Sequence, residues 1–119
     1  MRYKTPLERI IKASKFSLRG LYFALKLEQA FRYEFIVLII ILIASLLLKL
    51  NIIKALVLIF AWLIVMAFEL VNSAVERAFD LISKDFKDEI MQGKDMLSAA
   101  VFICVSFNVI LWGLMIFVI

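Results

Sequence analysis

The segment Phe68-Glu69-Leu70-Val71-Asn72-Ser73-Ala74-Val75-Glu76 closes a run, Ala55 to Phe68, that carries no charge. Two carboxylates and an amide thus follow one another at positions 69, 72 and 76, which fall on one narrow face of a helix at 100° per residue. An ionisable side chain at the centre of a bilayer helix costs about 2.5–3.5 kcal/mol, so such groups call for a function or a partner. Glu28 and Glu34 precede the first apolar run, and Lys94, Asp95 and Ser98 head the last one, all at the same boundary level. Carboxylate and amide oxygens suit a hard cation such as Mg²⁺, which usually arrives with phosphates. A lysine neutralises phosphate charge as a point cation, and a carboxylate left free of metal can serve as general base. Those parts suffice for phosphoryl transfer, where positioning and electrostatics supply most of the catalysis. Each residue also has a plainer reading. Glu28 and Glu34 could be interface residues, Asn72 an interhelical hydrogen bonder, and Lys94 and Asp95 helix caps. The joint pattern favours a site.

These residues must be held by membrane helices. The chain has 119 residues, is 66% hydrophobic and has a mean hydropathy of +1.04. A soluble domain of that size cannot hide so much apolar surface. Met96–Ile119 is 24 residues without a charge, enough for about 30 Å of hydrocarbon. Phe35–Leu48 and Ala55–Phe68 have 14 each. They reach spanning length if the first begins near Glu28 or Ala30 and the second runs through Glu76. Thr5-Pro6-Leu7-Glu8 predicts a helix start, with Thr5 as N-cap, Pro6 at N1 and Glu8 completing a capping box. Beyond it, Leu7, Ile10, Ile11, Leu18, Leu21 and Leu25 oppose Lys12, Lys15, Arg19 and Lys26, the pattern of an amphipathic helix lying in the interface. The expectation is an all-α integral membrane protein of one domain. A surface helix covers about 5–26, and transmembrane helices cover about 29–48, 52–82 and 92–118. Ser83–Glu89 reads as a loop and Gly93 as a pivot. Three spans enclose so polar a site poorly, so several copies are expected to associate.

Composition excludes other chemistries. There is no histidine, hence no His-based metal site or general base. The single cysteine, Cys104, reads as a small core hydrophobe. With three glycines and no Walker or G-x-G-x-x-G motif, a glycine-rich phosphate loop is ruled out. No cleavable signal peptide is expected. Residues 1–34 hold eight Lys/Arg, which the positive-inside rule puts in the cytoplasm together with the 77–95 stretch. The Lys49–Lys54 turn then faces out. Attraction to anionic membrane lipids explains the basic N-terminus more simply than nucleic acid does.

Glu69-Leu70-Val71-Asn72-Ser73-Ala74-Val75-Glu76 resembles the Glu-x-x-Asn-Ser/Thr-Ala-Ile/Val-Glu signature of the bacterial diacylglycerol kinases. Lys94-Asp95-Met96-Leu97-Ser98-Ala99-Ala100-Val101 resembles that family's second motif. Glu28-Gln29-Ala30-Phe31-Arg32-Tyr33-Glu34 resembles its first-span start, and Arg9-Ile10-Ile11-Lys12-Ala13 its surface helix. The resemblance implies a homotrimeric inner-membrane lipid kinase with composite active sites between subunits. Such an enzyme moves the γ-phosphate of MgATP onto diacylglycerol and gives phosphatidic acid. By position, Glu69 would be the general base, and Glu28 and Glu76 would hold Mg²⁺. Asn72 and Glu34 would support them. Arg9, Lys12, Ser17, Glu28, Asn72, Glu76, Lys94 and Asp95 would meet ATP, and Arg9, Glu69 and Ser98 the lipid. Phe16 and Leu18 depart from the Tyr and Trp of some relatives. Undecaprenol kinases share the family, with a second motif that tends to Lys-Asp-x-Ala-Ala. Met96 and Ser98 favour the diacylglycerol branch. A small multidrug-type transporter or a non-catalytic membrane subunit is the alternative of another class. Small exporters typically rest on one membrane-embedded Glu, whereas this chain gathers acids, an amide and a lysine at one level.

Overall fold

The computed structural model describes residues 4–82 and 87–118. They form four helices: α1 (Pro6–Leu27), α2 (Gln29–Leu47), α3 (Ile52–Ile82) and α4 (Asp88–Phe117). The last three are long and apolar enough to cross a membrane. At 1.5 Å per residue, the 19 residues of α2 rise about 28 Å, the thickness of the hydrocarbon core. The 31 residues of α3 rise about 46 Å, so roughly three turns of it project beyond that core.

The start of α1 follows the sequence closely. Glu8 N–H donates to Thr5 Oγ1 at 3.1 Å, the N-cap bond. The reciprocal bond differs from a standard capping box, because the Glu8 carboxylate accepts from Lys4 N–H at 3.0 Å, one residue ahead of the cap. At the other end, α1 and α2 are separated by Glu28 alone, which is extended at φ −110°, ψ 110°. Arg32 Nη1 donates to the Leu25 and Lys26 carbonyls at 3.2 and 2.9 Å. That satisfies acceptors which the end of α1 leaves open.

The α2–α3 turn is tight. Lys49 takes a left-handed φ of 54°, and Asn51 Oδ1 accepts from Lys54 N–H at 2.9 Å to cap α3. Ala24, Phe31 and Met66 form a small buried core, flanked by Leu25, Leu38, Trp62 and Leu70. Leu58 and Val65 are fully buried. Most other apolar side chains, Phe60, Phe102 and Ile103 among them, remain exposed, as a bilayer-facing surface requires.

The approach to α4 corrects the expected loop. Residues 83–86 lie outside the described residues, but α4 begins at Asp88, ahead of the anticipated 92. Asp88 and Glu89 in its first turn suit the positive end of the helix dipole. Gly93 is therefore helical and not a pivot. A Cβ there would stand 2.8 Å from Phe79 Cζ, so its small size lets α4 approach the Phe79 ring of α3.

Candidate active site

Among the described residues Glu69, on α3, is the most buried carboxylate, at 9% exposure. Its carboxyl lies beside that of Glu34 from α2. Asn72, one turn along α3, stands next to it as well. Glu28 and Glu76 stand near enough for their charges to act on Glu69. The helical face read from positions 69, 72 and 76 thus meets Glu34 and Glu28 from the chain segment that leads into and along α2.

Two buried oxygens here have no protein partner: Glu34 Oε1 and Asn72 Oδ1. Unpaired buried acceptors are expensive, and both are hard donors of the kind that suits Mg²⁺. These oxygens are of a kind that a hard divalent cation takes, and they belong to neither Glu28 nor Glu76. Among the described residues no three acidic or Cys side chains converge as a closed metal cage.

Around this cluster runs an ion-paired rim that the sequence reading missed. Arg77 donates to Glu28 Oε1 through Nε at 3.0 Å and Nη2 at 2.7 Å. The extended backbone at Glu28 sets its side chain free of either helix, so it can cross to α3. Lys94 Nζ donates to Asp80 Oδ1 at 2.9 Å. Arg77 and Asp80 are one turn apart on α3, so a single helix face engages both the proposed metal ligand Glu28 and the proposed phosphate contact Lys94. The alternation of sign in Glu76-Arg77 and Asp80 was the available signal.

Beside the rim, Ser17, Gly20, Phe23, Glu28, Ser73 and Arg77 line part of a cleft of about 740 Å³ between α1 and α3. Its walls are mostly apolar, with the Glu28–Arg77 pair at one place along them. Ser17 Oγ donates to the Ala13 carbonyl at 2.9 Å. Asp95 and Ser98 lie exposed on α4.

Arg9 and Lys12 are not brought to the cluster. Arg9 lines a separate hollow with Lys4, Thr5, Pro6 and Ile10, and Lys12 pairs with Glu8 at 3.0 Å. Along the unbroken helix α1, Arg9 lies about 27 Å and Lys12 about 22 Å from Leu27, next to Glu28. No side chain spans that distance within one chain.

Comparison with known proteins shows the family. Residues 15–116 match the family described as prokaryotic diacylglycerol kinase. A diacylglycerol kinase of Haemophilus influenzae is 39% identical over 112 residues, covering 93% of this chain and 95% of the relative. That of Escherichia coli K12 is 36% identical over 108 residues, 91% of this chain and 88% of the relative. That of Pseudomonas aeruginosa is 30% identical over 110 residues, 92% and 89% of the two chains. With three membrane-length helices and a buried acidic cluster at one end of them, the chain belongs to the prokaryotic diacylglycerol kinase family.

Proposed function

We propose that this protein is an ATP-dependent kinase that phosphorylates diacylglycerol to phosphatidic acid at the cytoplasmic face of the bacterial inner membrane. One observation carries the reading: a carboxyl group, Glu69, is buried among polar partners a turn or two inside a charged rim. A lipid alcohol comes from the bilayer and a nucleotide from water, so their reaction needs a base at this depth.

Glu69 takes the proton of the lipid hydroxyl as its oxygen attacks the γ-phosphorus of ATP, and ADP leaves. Glu34 and Asn72 orient that carboxyl through their contacts with it. Glu28 and Glu76 would hold Mg²⁺, which would supply charge neutralisation for the phosphates. Lys94 and Asp95 meet the polyphosphate from α4, and Ser98 and Arg9 meet the lipid. The cleft between α1 and α3 is wide and apolar enough for a glycerolipid, with its polar groups toward Glu28 and Arg77.

The distance of Arg9 and Lys12 from Glu28 supports a homotrimer with composite sites. A basic surface helix reaches the acidic cluster of a neighbouring chain without having to fold back on its own. The charge distribution of residues 1–34 and of the 77–95 stretch supports a cytoplasmic N-terminus.

The test is γ-phosphate transfer from MgATP in mixed micelles, with diacylglycerol and undecaprenol offered separately. Preferred phosphorylation of diacylglycerol is expected. Preference for undecaprenol would move the protein to the other branch of the family. Absence of transfer to either alcohol would return the non-catalytic reading.

A further inference from the structure

Trp62 and Glu69 are seven residues apart in α3, so they share a face about 10 Å apart along the axis. Both reach the same residue of α2. Trp62 Nε1 donates to the Glu34 backbone carbonyl at 2.8 Å, and Glu69 meets the Glu34 carboxyl. Glu34 is gripped by its backbone from one side and by its side chain from the other. Its carbonyl lies in the interior of α2, where one lone pair serves the helix ladder and the second is free for the indole.

The indole has reason to stay there. Trp62 packs against the buried core of Ala24, Phe31 and Met66. Its N–H, taken from water into apolar surroundings, must keep an acceptor or pay the desolvation of an orphan donor. A slide of α2 by one residue would move the Glu34 carbonyl by about 1.5 Å along the axis and turn it by about 100°. The bond thus fixes both height and rotation of α2 on α3.

We propose that Trp62 is a positioning residue: its hydrogen bond to the Glu34 carbonyl sets the register of α2 on α3 that holds the Glu34 carboxyl against Glu69. This rests on the general-base reading of Glu69. A filler role is the competing account, because Trp62 also lines an apolar groove of about 450 Å³ with Ile41, Val105 and Trp112. Trp112 lines that groove from α4 and so provides the control.

The experiment compares wild type, Trp62→Phe, Trp112→Phe, Glu34→Ala and the double variant Glu34→Ala/Trp62→Phe in the mixed-micelle assay. Phe keeps an aromatic ring and removes the donor. A shift of about 1 Å in a reacting constellation can lower a rate by up to about 10²-fold. Trp62→Phe is expected to lower kcat about tenfold with KM for MgATP within about twofold, and Trp112→Phe to keep both near wild type. In the Glu34→Ala background, where no side chain is left to meet Glu69, Trp62→Phe should add no further loss, because its effect runs through Glu34. A wild-type kcat in Trp62→Phe, equal losses from the two Trp variants, or losses that multiply in the double variant would each overturn the proposal. So would a Trp62→Phe protein that loses its helical circular dichroism, since that assigns Trp62 to general packing. Wild-type protein that transfers no phosphate would instead overturn the kinase reading, and the proposal with it.

Discussion

At the charged end of the helices, α3 is joined to its neighbours by ions: Arg77 to Glu28 and Lys94 to Asp80. Toward the α2–α3 turn, the polar tie is a neutral amide. Asn108 Nδ2 donates to the Ala61 carbonyl of α3 at 3.0 Å and to the Cys104 carbonyl at 2.9 Å. The two regions differ in access to water. The Arg77 side chain is 58% exposed and that of Lys94 38%, so their charges stay partly hydrated and little desolvation must be repaid. Asn108 is 4% exposed, where a charge would be prohibitive and an amide is affordable. Exposed ion pairs are individually weak, roughly 0–1 kcal/mol. They can therefore be exchanged for a substrate's charges. A buried amide has no such exchange available. On the proposed function, the charged end reacts and the turn end only holds.

The largest expected effect tests that division directly. Glu69→Gln keeps size and hydrogen bonding but cannot take a proton. It should lower kcat by about 10²–10⁴-fold while the helical circular dichroism persists; near-normal turnover would remove Glu69 from the base role. Next, Glu76→Gln should raise the Mg²⁺ concentration for half-maximal rate by roughly tenfold or more, since even outer-shell partners are worth 10–100-fold in metal affinity. An unchanged Mg²⁺ titration would take Glu76 out of the cation site.

Gly93→Ala should act on stability instead. The added methyl meets the tip of the Phe79 ring at 2.8 Å, and because that ring can swing aside the cost falls at or below the low end of overpacking, about 1 kcal/mol. Thermal denaturation in detergent measures it, and Phe79→Leu in the same chain should recover most of the loss. The smallest effect belongs to the turn end. Asn108→Leu removes one interhelical bond, worth about 0.6 kcal/mol on average in membrane proteins, and should leave kcat unchanged. A large loss of activity there would break the comparison, because it would make the turn end part of the catalytic apparatus.

Much of the fold was legible. Thr5-Pro6 marks the start of α1 because a hydroxyl acceptor followed by an imino residue fits only a helix N-terminus. The apolar runs locate α2, α3 and α4 because hydrocarbon admits no unpaired backbone. The start of α4 at Asp88 was hidden, since a polar, charged stretch reads as loop whether or not its helix extends past the bilayer. On α3, the shared face of Glu69, Asn72 and Glu76 was visible through their spacing. Arg77 was read only as part of the cytoplasmic 77–95 stretch, because a lone arginine at that level does not announce which acid it will meet.

By itself the sequence determined which segments are helices, which face of α3 is polar and which family the chain resembles. Those are properties of period and composition along one chain. The partners were decided only in three dimensions: Arg77 for Glu28, Asp80 for Lys94, Trp62 for the Glu34 carbonyl, and Gly93 beneath Phe79. Contacts between helices depend on their relative height and rotation, and a change of one residue turns a side chain by about 100°. That register is set by the packing of whole helices, which no local pattern encodes.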